Sequence, residues 1–177
     1  MKRVLLSSIA LACVAAFGAA PAAAQHASLS IGGGGMKPSG DYATVDNMGW
    51  ELMGAVEVSI PASPLAVRVD GIYGETSHQG SSLLTGSTKL SGGTVSAVYR
   101  IGAPMVPVRA YLLAGAGYYR ADIAGQSESK PGFGGGAGVS LGIGPMKVFG
   151  EARYMTVLTS NSSLNFFPIS VGLTFGL

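Results

Sequence analysis

From residue 27 to the last residue the chain alternates between apolar and polar side chains, in eight segments of roughly ten residues each. Segment 27–35 puts Leu29 and Ile31 on the apolar phase, and 50–60 puts Trp50, Leu52, Val56, Val58 and Ile60 there. Segment 65–73 carries Leu65, Val67, Val69 and Tyr73, and 94–101 carries Val95, Ala97, Tyr99 and Ile101. Segment 108–118 is the longest stripe: Val108, Ala110, Leu112, Ala114, Ala116 and Tyr118. Segment 133–143 follows with Phe133, Ala137, Val139, Leu141 and Ile143, and 147–155 with Val148, Ala152 and Tyr154. Segment 167–177 closes the chain with Val171, Leu173, Phe175 and Leu177. A period of two predicts eight β-strands. The fourth has the weakest start, because Ser91-Gly92-Gly93 blurs its alternation.

The connections fall into two kinds. Residues 61–64, 102–106 and 144–145 are short, bear proline and recur about every 41 residues, a hairpin period. Between them lie longer polar stretches at 37–47, 75–89, 121–130 and 158–165. Short turns at one end and long loops at the other fit the periplasmic and external ends of a membrane barrel. An even strand number then puts both termini in the periplasm.

Nine charged residues fall inside the segments: Glu51, Glu57, Arg68, Asp70, Arg100, Arg109, Lys147, Glu151 and Arg153. All nine lie on the phase opposite the apolar stripe. A soluble, lipocalin-like barrel would turn the apolar phase inward and the charges to water. Two features favour the inverted arrangement. The polar phase is mainly Gly, Ser, Thr and Ala, sparse in charge for a solvated surface and small enough for a narrow interior. The outward aromatics gather at segment ends, with Trp50, Tyr73, Tyr118, Phe133 and Tyr154 toward the long loops and Tyr99 and Phe175 toward the short turns. Those are two interfacial girdles. The enclosed charges must then pair, since a lone charge in a low-dielectric tube is costly. Either they line a conducting lumen or they plug it; an eight-stranded barrel is just wide enough for side chains to fill, which favours the plug.

Composition agrees. Mean hydropathy is +0.40 with 11% charged residues, yet no apolar run after the N-terminal segment is long enough for a spanning helix. At the N-terminus, Met1-Lys2-Arg3 precedes an apolar stretch, 4–17, and a small-residue site, Ala22-Ala23-Ala24. This reads as a cleaved signal peptide over 1–24, too short and too interrupted by Gly18 and Pro21 for a membrane helix. Cleavage leaves one domain, 25–177, without cysteine, since Cys13 departs and Ala10-Leu11-Ala12 before it makes a poor lipobox. Nine acids then balance nine bases, so nothing favours a nucleic-acid partner.

Candidate chemistry is sparse. The glycines of 32–35 and 132–144 tempt a phosphate-loop reading, but spacing at every second position belongs to strands and no helix follows. Inward glycines make room for Arg and Tyr side chains of neighbouring strands. Catalysis would need a base and a nucleophile in reach of each other. The histidines are His26, at the start of the barrel, and His78, in a loop beside Glu75, Ser77, Ser81 and Ser82. Neither sits on a rigid frame. No cysteine or histidine cluster offers a metal site. No catalytic, cofactor or metal residues are therefore expected.

Three stretches, Tyr111 to Tyr118, Phe149-Gly150-Glu151-Ala152-Arg153-Tyr154 and Pro168 to Leu173, resemble successive strands of the small outer-membrane β-barrel proteins related to the OmpA transmembrane domain, OmpX and the opacity proteins. The resemblance runs over the whole mature length and directs Glu151 and Arg153 into the lumen. The last segment also resembles the C-terminal signal by which such barrels are recognised for insertion, on Ser170, Gly172, Phe175 and the terminal Leu177, where an aromatic residue is usual. It implies the barrel-assembly machinery as a partner. The expected fold is all-β, an eight-stranded antiparallel up-and-down transmembrane β-barrel. The protein is expected to be a monomer in outer-membrane lipid, without cofactor, with a structural or surface-interaction role and a surface partner the residues do not name. A narrow channel for small solutes or apolar ligands is the second reading, and a lipid-modifying enzyme the third.

Overall fold

A computed structural model describes residues 27–39, 47–77, 87–102, 107–123, 126–158 and 163–177. The signal segment, His26 and His78 lie outside them. Eight strands follow one another: β1 (Ala27–Ser39), β2 (Gly49–Ser59), β3 (Leu65–Ser77), β4 (Ser87–Ile101), β5 (Val108–Ile123), β6 (Gln126–Ile143), β7 (Met146–Leu158) and β8 (Ser163–Gly176). Each pairs antiparallel with the next, and β8 closes on β1, giving a barrel in sequence order. Closure leaves no free strand edge. The seam includes Leu29 opposite Phe175 and Ile31 opposite Leu173. Leu177 N–H donates to the Ala27 carbonyl at 2.9 Å.

Alternation decides what each residue meets. Ile31, Leu52, Val95, Val139 and Val171 stand more than half exposed on the outer wall, whereas Glu51, Glu57, Arg68, Asp70, Glu151 and Arg153 are buried inside. The barrel is thus inverted, with apolar side chains outward and charges inward, the arrangement that suits a lipid surround. Trp50, Tyr73, Tyr118, Phe133 and Tyr154 project outward toward one end, and the Trp50 and Tyr73 rings meet tilted at 54°, 5.8 Å between centroids. Tyr99 projects toward the other end, with the partly buried Phe175.

The short-turn end is tightly made. Ile143 pairs with Met146 across Gly144-Pro145, where Gly144 adopts φ +61°. A two-residue hairpin needs such a left-handed residue, and glycine takes it without strain.

At the other end the strands outrun the sequence reading. Residues 121–130 read as a long loop, but Ala121 pairs with Glu128 and Ile123 with Gln126, so the β5–β6 ladder runs on through most of that stretch. Stretch 75–89 likewise continues β3 and β4, with Glu75 opposite Lys89 and Ser77 opposite Ser87. Of 37–47, the first three residues pair with β8. The reason is physical: above the lipid both faces of a strand meet water or a crowded lumen, so the apolar alternation that marks a strand fades while the ladder continues. β6, at 18 residues, rises about 40 Å along a barrel tilted as these barrels are, well beyond the ~25 Å apolar band. The blurred start of β4 has a cause of its own. A Cβ at Gly92 would lie 2.2 Å from Tyr119 Cδ1, so this glycine gives way to an inward tyrosine.

Candidate functional site: the lumen ion-pair network

The inward phase of β2, β3, β4 and β7 carries the acids and bases. β3 and β7 face each other across the barrel, four strands apart in either direction. Two ion pairs bridge them: Arg68 Nη1 lies 2.6 Å from Glu151 Oε2, and Arg153 Nη1 lies 2.9 Å from Asp70 Oδ2. Arg153 Nε also binds Glu151 Oε1, its neighbour two residues back on the same face. Arg68 Nε binds Glu57 Oε2 on β2 at 3.1 Å, and Glu57 Oε1 takes Arg100 from β4. The result is one alternating chain, Arg100–Glu57–Arg68–Glu151–Arg153–Asp70, in which every interior member touches two opposite charges. That is how a buried charge set becomes affordable: Coulomb attraction at low dielectric offsets the desolvation of each ion.

Hydroxyls add to it. Tyr111 donates to Glu151 Oε2 at 2.8 Å, and the Arg68 guanidinium sits 5.4 Å from the Tyr111 ring centre. Glu51 accepts from Ser170. Glu51 Oε2, Asp70 Oδ1 and Arg153 Nη2 make no hydrogen bond among the described residues. They border a cavity of about 10 Å³.

Apolar layers lie beside the charges. Toward the long-loop end, Met36, Leu90, Tyr119, Ala121, Met155, Val157 and Phe166 pack together, with Tyr119 and Phe166 edge to face at 6.2 Å. Tyr119 is fixed at its other end by a 2.5 Å hydrogen bond with Thr94. Two smaller clusters, Ala66, Val98, Tyr111 and Leu113, and Met53, Ala55 and Phe149, fill the space near the network. Glycines make this possible. A Cβ at Gly138 would meet Tyr111 at 2.3 Å, one at Gly132 Tyr119 at 2.9 Å, and one at Gly172 Phe149 at 2.7 Å.

The nine charged residues therefore divide. Glu57, Arg68, Asp70, Arg100, Glu151 and Arg153 form the chain, and Glu51 stands outside its ion pairs, accepting from Ser170. Arg109 and Lys147 take no place in it and line the mouth at the short-turn end. Sequence reasoning expected inward glycines to make room for tyrosines, as they do for Tyr111 and Tyr119, but did not single those two out and missed Phe149 and Phe166 as interior fillers. The available signal was an aromatic on the inward phase with glycine on the next strand: Tyr111 is opposite Gly138 and Tyr119 opposite Gly92. Of the segment taken as an insertion signal, Ser170 points inward and is buried, while Gly172, Phe175 and Leu177 lie along the β8 seam and its end.

The same architecture occurs in solved proteins. Neisserial surface protein A superposes with a TM-score of 0.66 at 21% identity, covering 84% of this chain and 96% of that one. Ail, the attachment invasion locus protein of Yersinia pestis, gives 0.56 at 23%, covering 86% and 99%. The N-terminal β-barrel domain of Pseudomonas aeruginosa OprF gives 0.51 at 16%, covering 85% and 97%. No functionally curated protein matches the chain. The sequence profile of the outer membrane protein β-barrel domain matches residues 9–175. An inverted eight-stranded barrel, closed in sequence order around a charged interior and matched by that profile over nearly its full length, belongs to the outer-membrane β-barrel domain family.

Proposed function

We propose that the protein is a non-conducting, non-enzymatic barrel that strengthens the outer membrane and presents its long-loop end to the surroundings. The observation that carries this reading is the pair of bridges across the bore, Arg68 to Glu151 and Arg153 to Asp70, packed between apolar layers. Ion pairs laid across the bore obstruct passing ions, and Glu57 and Glu151, each held by two guanidiniums, are poor general bases. The chain is exported by residues 1–24, stands as a monomer with both termini in the periplasm, and is inserted through its C-terminal strand by the barrel-assembly machinery. The strands that rise past the outward aromatics, chiefly β4, β5 and β6, form the presented surface. Two relatives of the same fold carry names that fit such a role, a surface protein and an attachment invasion protein.

Planar-bilayer recording of refolded protein tests the reading. A plugged barrel gives no discrete current steps. Reproducible steps in the parent protein, altered in size or ion selectivity by Glu151→Gln, would establish the narrow channel instead.

A further inference from the structure

Between the network and the short turns, the lumen opens into a cup of about 410 Å³. Arg100, Arg109 and Lys147 line it from β4, β5 and β7, together with Ser28, Ser59 and Thr174. A narrower cavity of about 50 Å³ continues inward to Tyr111, Phe149 and the Arg68–Glu57 pair. The wide part of the cup has three cationic side chains in its lining and no acidic one. The acid beneath it, Glu57, is already bound to both Arg68 and Arg100. Across the same two cavities the lining holds four cationic side chains against that single acidic side chain, with Leu177 at the rim.

The ion pairs that bridge the bore run through Arg68, Arg153, Glu151 and Asp70, and the three cations gathered in one concave, partly desolvated mouth repel one another. A concave wall focuses their field on whatever enters. The cup's volume matches a small-molecule site rather than a macromolecular surface. Its donors are of the kind that grip a tetrahedral oxyanion: two guanidiniums, an ammonium and hydroxyls around one space.

We propose that this cup is a binding site for a phosphate-bearing anion, held by Arg100, Arg109 and Lys147. The phosphate is carried either by a free small molecule or by a lipid headgroup reaching in from the adjacent leaflet; both offer the same chemistry. The site is closed at its inner end by the ion-pair chain, so the ligand is held at the mouth and does not pass through.

Full-length refolded protein, labelled with 15N in uncharged maltoside micelles, is titrated with inorganic pyrophosphate, and separately with short-chain phosphatidylglycerol against phosphatidylcholine. The expected result is a saturable shift of the Ser28, Lys147 and Thr174 amides, with Gly117 at the far end unmoved. Saturation by pyrophosphate identifies a free phosphate compound; saturation by phosphatidylglycerol alone identifies a headgroup. Arg109→Gln with Lys147→Gln should weaken binding by about tenfold or more, the loss of a close charge contact. Lys147→Arg should restore most of it. Lys147 is exposed, so Lys147→Gln alone provides a variant whose folding is secure if the double variant does not assemble. Shifts that never saturate with either probe, or binding that survives Lys147→Gln undiminished, overturn the proposal.

Discussion

Glu151 receives three donors at once, from Arg68, Arg153 and Tyr111, and no other carboxylate of the described residues is so placed. Replacing it with glutamine removes the negative charge between two guanidiniums while keeping the volume. Breaking a buried pair costs about 3–5 kcal/mol, because the partner charges stay buried without compensation. Glu151→Gln should show a loss of that order in urea unfolding. Tyr111→Phe deletes one hydrogen bond to a charged acceptor and should cost about 1.5–3 kcal/mol in the same measurement. Glu128 and Lys130 are paired at 2.8 Å where β6 rises past the outward aromatics, with Glu128 more than half exposed. Water screens them, so Glu128→Gln should change stability by about 1 kcal/mol or less. Equal losses at Glu151 and Glu128 would mean that the lumen is wet.

At the scale of the strand, glycine placement decides which interiors can be filled. Gly92 is opposite Tyr119, whose ring is held by Thr94 on one side and Phe166 on the other and cannot swing away. Gly92→Ala should cost about 1–3 kcal/mol by overpacking. Gly54 faces outward with nothing near its missing Cβ, so Gly54→Ala should lie within about 0.5 kcal/mol of the parent. If both changes are neutral, the glycine at position 92 is not there for the tyrosine. The closing strand makes a separate prediction. Leu29 and Met146 stand on either side of Phe175, so this residue sits in the ladder that seals the barrel. Phe175→Ala, or removal of residues 175–177, should leave protease-sensitive chain in the periplasm and little assembled barrel. Normal assembly of the truncated chain would remove the insertion-signal role from Phe175 and Leu177.

As a whole, the molecule is a closed ladder with an apolar outside and a cross-linked inside, so unfolding must break the seam, the lipid contact and the ion-pair chain together. Such a barrel should stay folded in SDS until heated and shift its mobility on a gel when it opens; recovery from the soluble periplasm with no shift would contradict the membrane fold. Orientation can be read on intact cells. An epitope placed between Ile123 and Gln126 should bind antibody from outside, whereas one placed after Ala62 in a short turn should not. The opposite labelling would invert the proposed topology and move the cationic cup to the cell surface.

The alternation of residues such as Val108, Ala110 and Leu112 against Arg109 and Tyr111 was enough to fix the strands, their number and the two faces, because a period of two is a local property of the backbone. Tyr99 and Trp50 marked the ends of the apolar band for the same reason. The sequence could not show where β4, β5 and β6 stop, since above the lipid no hydrophobic phase distinguishes strand from loop. Nor could it show which charges meet. Arg68 and Glu151 are 83 residues apart and touch only because closure of the ring sets β3 opposite β7. The same closure separates Arg109 and Lys147 from the chain and leaves them at the mouth, since their height along the barrel depends on a stagger that accumulates strand by strand and is written in no single segment.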